Sequence, residues 1–91
     1  MVQKPLHPTR SDVRGQLVRL ISEIAGIPTD SITDTATIDE DIQMNSVSFV
    51  ELQVAIEEAY DIQIDPIQVV ELNQFGAIVD YVYQCATAAA Q

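Results

Sequence analysis

Residues Asp41 to Leu52 read D-I-Q-M-N-S-V-S-F-V-E-L, an acidic loop running into an apolar segment, with serines at 46 and 48. The apolar residues continue to Tyr60 at spacings of three and four, so a helix is predicted from about Asn45 or Ser46 to Tyr60. Advancing 100° per residue from Val47 divides this helix into two apolar stripes. Phe49, Leu52, Ile56, Ala59 and Tyr60 gather on one side. Val47, Val50 and Val54 gather on roughly the opposite side, flanked by Glu51, Glu57 and Glu58. A small bundle seldom buries both stripes, so the glutamate-edged valines are expected to form a docking face, the alternative being that the third helix or the long loop covers them.

Helices on either side supply the rest of the fold. Thr9 to Ile24 places Val13, Leu17, Leu20, Ile21 and Ile24 on one arc. Thr9 with Asp12 makes a capping box, and Gly26 with Pro28 ends the helix. Asp65-Pro66 starts a short helix through Leu72. Asn73 is expected to cap a last helix from about Phe75 to Gln84, with Phe75, Ile78, Val79 and Val82 inward. Ile27 to Met44 is a long loop anchored by Ile32 and Ile38. The D-I-Q-I-D segment, Asp61 to Asp65, alternates like a strand but has no partner strand, so it is read as a connector burying Ile62 and Ile64. The expected architecture is an all-α bundle of four helices with a long loop between the first two. It forms a single domain over 1–91, with flexible ends at 1–8 and 86–91.

Composition narrows the function. The chain has 91 residues, 47% of them hydrophobic, with 4 Lys+Arg against 14 Asp+Glu and a formal net charge of −10. Its four cations, Lys4, Arg10, Arg14 and Arg19, all precede residue 20, where only one acid, Asp12, lies. The remainder has no cation to replace phosphate counterions, which argues against nucleic acid and favours basic protein surfaces. One cysteine, Cys85, excludes an internal disulfide and fits a reducing cytoplasm. No run is long enough to span a bilayer, and the N-terminus lacks the apolar core of a secretory signal. His7 and Cys85 have no catalytic companions. Counted as a calcium loop from Asp30, the sequence puts Thr35 where glycine is needed, so no metal site is expected. The chain is read as a non-enzyme, a soluble intracellular monomer.

On local physics plain capping is the favoured reading of the two serines. Ser48 to Glu51, S-F-V-E, spells a capping box, and Asn45 or Ser46 could equally cap the helix. A phosphodiester on Ser46 would also suit a helix N-terminus, whose free N–H groups favour negative charge.

The run T-I-D-E-D-I-Q-M-N-S-V-S-F-V-E-L-Q-V-A-I-E-E-A-Y-D-I-Q-I, Thr37 to Ile64, resembles acyl carrier proteins. There an acidic D-L-G-x-D-S-L loop leads into a helix reading V-E-L and then a small-apolar-E-E-aromatic pattern. G-I-P-T-D-S-I-T and N-Q-F-G-A-I-V-D-Y-V extend the likeness on both sides, over nearly the whole chain after residue 9. The resemblance implies that Ser46 receives 4′-phosphopantetheine from coenzyme A, by the action of a phosphopantetheinyl transferase. It implies that Met44, Asn45, Val47, Val50, Glu51, Val54, Glu57 and Glu58 meet basic-surfaced acyl-loading and acyl-transferring enzymes. Asn45 stands where that family has Asp, Gln43 where it has Gly and Val47 where it has Leu. These departures suggest a specialised carrier, and the missing G-G-x-S site of peptidyl carriers favours an acyl or polyketide load. The alternative is an unmodified acidic interaction module of the same fold.

Overall fold

Thr9 opens the first helix, α1 (Arg10–Ala25), with the reciprocal bonds of a capping box. Its Oγ1 accepts from the Asp12 N–H at 3.0 Å, and the Asp12 carboxylate accepts from the Thr9 N–H at 3.1 Å. Gly26 closes α1 in the left-handed region, φ 71°, where a side chain would be strained. The computed structural model describes residues 8–89; His7 and Lys4 lie outside them. A single 3₁₀ turn follows at Thr29–Ser31, and then α2 (Ser46–Tyr60), α3 (Pro66–Leu72) and α4 (Phe75–Ala89). The described residues form no strand; one isolated bridge joins Thr37 to Gln74.

The four helices enclose one core. α1 packs against both α2 and α4, and α3 packs against α4. Val13, Leu17 and Ile21 of α1 meet Leu52 and Ile56 of α2, Val69 of α3, and Phe75, Ile78, Val79 and Val82 of α4. Ile62 and Ile64 are buried in the connector, as their alternation predicts. Ala59, expected inside, is exposed. It sits at the margin of its arc near the end of α2.

The long loop is held by more than two isoleucines. Ile32, Ala36, Ile38 and Ile42 are all buried, and burial of each larger side chain favours the folded loop by about 1.5–3 kcal/mol. Asn73 then corrects the sequence reading. It ends α3 at φ 60° instead of capping α4, and its Oδ1 accepts from the N–H groups of Ile38 (3.1 Å) and Asp39 (3.3 Å). The first N–H groups of α4 go to the loop: Phe75 donates to the Ala36 carbonyl and Gly76 to the Asp34 carbonyl, both at 2.8 Å. Glycine suits that close approach, because a Cβ at position 76 would lie a tight 3.1 Å from the Asp34 oxygen.

A second correction concerns the C-terminal end. Helix α4 runs through Ala89, and Ala86 is buried. Residues 79, 82 and 86 keep the three- and four-residue spacing of the core arc, so the helix carries on past Gln84. The cations are also less isolated than their clustering suggests. Arg10 pairs with Asp80, and Arg14 pairs with Asp34 at 2.9 Å while its guanidinium lies 5.5 Å over the Phe75 ring. Both pairs are largely exposed, so they fix α1 against its neighbours more than they stabilise it.

Candidate functional site

The mouth of α2 is built by its preceding loop. Thr37 and Asp41 clasp each other: the Asp41 carboxylate accepts from the Thr37 N–H at 2.9 Å and from its hydroxyl at 3.2 Å, while the Asp41 N–H returns to Thr37. The Met44 N–H donates to the Ile38 carbonyl at 3.1 Å. Between these ties Gln43 takes φ 59°, a left-handed conformation unusual for a residue with a side chain. The turn brings the chain sharply into the helix.

Asn45 is the N-cap. Its Oδ1 accepts from the Ser48 N–H at 2.8 Å, so the S-F-V-E pattern does not cap the helix and Ser48 lies one turn inside it. Ser48 is half-buried, whereas Ser46, the first residue of α2, is exposed. Capping is therefore discharged by Asn45, and the Ser46 hydroxyl faces solvent at a helix N-terminus whose first turn carries no acid. A serine in that position can carry a phosphodiester without giving up a structural bond.

The valine stripe is exposed, as its angle predicts. Val47, Val50 and Val54 keep 68%, 55% and 45% of their surface. Glu51 and Glu58 are exposed beside them. Glu57 is only half-exposed, because its Oε2 accepts from the Ile64 N–H at 3.0 Å and so ties the connector to α2. Met44 is half-buried and packs against the core, so it offers less to a partner than its place beside the serine implies.

Two apolar residues that the sequence reading passed over are also exposed, Ile67 at 67% and Val70 at 58%, both on α3. The same helical arithmetic would have found them. In P-I-Q-V-V-E-L, positions 67 and 70 lie opposite 69 and 72, and the latter pair faces inward. Elsewhere, Cys85 is a free, half-buried thiol. Among the described residues no three His, Cys, Asp or Glu side chains converge as metal ligands. None of the described helices is long and apolar enough to cross a membrane.

Comparison with known proteins bears on this serine-bearing helix. The family described as "Phosphopantetheine attachment site" matches residues 15–82. The acyl carrier protein of Acidothermus cellulolyticus is 31% identical over 81 residues, spanning 89% of this chain and 96% of that protein. That of Buchnera aphidicola subsp. Schizaphis graminum is 32% identical over 72 residues, 79% of this chain and 91% of its own length. That of Saccharopolyspora erythraea is 29% identical over 85 residues, 89% and 90% of the two chains.

Proposed function

The chain belongs to the acyl carrier protein family, whose cofactor is covalent 4′-phosphopantetheine, and from that premise we propose that Ser46 is the residue that carries it. Family membership makes the protein a carrier and not a catalyst, served by a phosphopantetheinyl transferase and by acyl-handling enzymes. The observation that supports Ser46 is its exposure at the first position of α2 while Asn45 supplies the cap. In the modification, Ser46 Oγ attacks the phosphorus of coenzyme A that bears pantetheine. The bond to the adenosine bisphosphate portion breaks, and the serine proton passes to the transferase. When bound, the arm supplies a terminal thiol that holds an acyl group as a thioester.

The chain's own part is presentation. The Thr37–Asp41 clasp and the buried Ile38 and Ile42 hold the loop so that Ser46 stands at a fixed place on the bundle. Val47, Val50 and Val54 offer apolar contact, and Glu51 and Glu58 draw in basic enzyme surfaces. Asn45, Glu57 and Met44 contribute at the edge of that face. The protein works as a single domain and a monomer in the cytoplasm, serving a fatty-acid, polyketide or related lipid pathway. Asn45, Gln43 and Val47 favour a specialised member of the family.

The test is the intact mass of the protein after incubation with coenzyme A and a broad-specificity transferase, for the parent and for Ser46→Ala. The parent gains one phosphopantetheine and the variant gains none. A parent that stays unmodified with every transferase tried would mark the chain as an interaction module that has kept the fold and lost the arm.

A further inference from the structure

We propose that Asn45 is a positioning residue for the arm, its side-chain Nδ2 donating a hydrogen bond to the phosphodiester on Ser46. The inference rests on Ser46 being the attachment point. A primary amide has one accepting and one donating end. The accepting end is committed to the Ser48 N–H at 2.8 Å, and an NH₂ group cannot take that place because it accepts nothing. The Nδ2 hydrogens must therefore point away from that backbone N–H, on an exposed residue whose neighbour, Ser46, is exposed as well.

Among the described residues no hydrogen bond takes those hydrogens, and the first turn of α2 contains no acid. In the loop before it, the Asp41 carboxylate accepts from Thr37, and Asp39 Oδ1 accepts from Asn73 Nδ2 at 3.1 Å. A phosphodiester is anionic and only accepts hydrogen bonds, which matches what the amide has left to give. Aspartate at position 45 could make the same cap, but it would set a second negative charge beside the phosphodiester and offer no donor. Asparagine thus keeps the cap and adds an attraction at the root of the arm.

The experiment compares apo and modified forms of the parent, Asn45→Asp and Asn45→Ser by NMR and thermal melting, after intact mass has established the modification. On modification of the parent, the Asn45 side-chain NH₂ resonances shift and exchange more slowly with solvent, while those of the distant Gln63 stay in place. The modified parent melts at or above the apo form. Asn45→Asp, which retains a cap, melts about 2–4 °C lower when modified than when apo, and roughly 1 M salt closes that gap. Asn45→Ser, neutral and too short to reach, shows no difference between the forms. Unmoved Asn45 resonances, or the same apo-to-modified change in the parent and Asn45→Asp, overturn the role of Asn45 and leave Ser46 as the attachment point. A parent that gains no pantetheine mass on Ser46 removes the attachment reading first, and this inference with it.

Discussion

Glu57 Oε2 accepts a hydrogen bond from the backbone N–H of Ile64 at 3.0 Å, so one of three glutamates beside the valine stripe fastens the connector between α2 and α3. The three glutamates should therefore separate in experiment. Glu57→Ala is expected to cost about 1–2 kcal/mol in urea unfolding, the price of a part-buried N–H left unpaired. Glu51→Ala and Glu58→Ala should stay within about 0.5 kcal/mol, as ordinary surface changes do. Glu51→Gln with Glu58→Gln should instead slow association with a basic partner enzyme and flatten its salt dependence. Equal stability losses at all three positions would show that the Ile64 bond contributes nothing.

The opposed stripes of α2 give a sharper contrast. Val54 is exposed and Leu52 is buried. Val54→Asp should weaken a partner complex while the thermal midpoint moves little. Leu52→Ala should cost about 2–5 kcal/mol, through lost burial and the cavity left behind. If Val54→Asp unfolds the domain, its stripe belongs to the core and the docking face is misassigned.

Backbone strain at Gln43 makes a third prediction. A left-handed non-glycine residue costs roughly 1–2 kcal/mol, partly offset by the greater freedom of glycine in the unfolded chain. Gln43→Gly should raise stability by up to about 1 kcal/mol, read from the denaturant midpoint. Gln43→Val should lower it, because β-branching makes φ 59° harder to adopt.

Much of this was legible in the sequence, for reasons tied to particular residues. Caps declare themselves when donor and acceptor are three residues apart, as with Thr9 and Asp12, and the opposed valines of α2 follow from helical angle alone. What stayed hidden depends on contacts distant in sequence. Asn73 reads as well for an N-cap as for a C-cap, and only the arrival of Ala36 and Asp34 at the start of α4 decides between them. The tie from Glu57 to Ile64 looks like any charge on a solvated face until the connector folds back. Ala86 was missed because alanine contributes little to a hydrophobic arc even where the arc continues.

Asn73 carries the pH prediction. Its Nδ2 hydrogen bond to Asp39 holds that carboxyl below its ordinary value, helped by backbone N–H groups around residues 39 and 40 and opposed by desolvation. A carboxyl depressed in the folded state contributes stability that is complete above its unfolded value and is lost as pH falls through the folded one. Asn73→Gly, which accepts φ 60° and removes the amide, should let Asp39 titrate nearer the usual carboxylate range in a carboxyl NMR titration. Its stability deficit relative to the parent should be largest near neutral pH and shrink below about pH 4. An unchanged Asp39 titration would remove Asn73 as the cause.

The two serines and the asparagine before them should fail in three different ways. Asn45→Ala removes the cap on the Ser48 N–H and should cost about 0.5–2 kcal/mol in stability. Ser46→Ala leaves that cap intact, so its stability should match the parent within about 0.5 kcal/mol while its capacity for phosphopantetheine disappears. Ser48→Ala keeps the N–H that Asn45 grips, so it should lose well under the roughly 1 kcal/mol of a missing cap and take up the arm like the parent. Denaturant midpoints with intact masses on the same preparations read all three at once. A large stability loss in Ser46→Ala would mean that its hydroxyl serves the fold, and pantetheine mass on that variant would place the attachment on another residue.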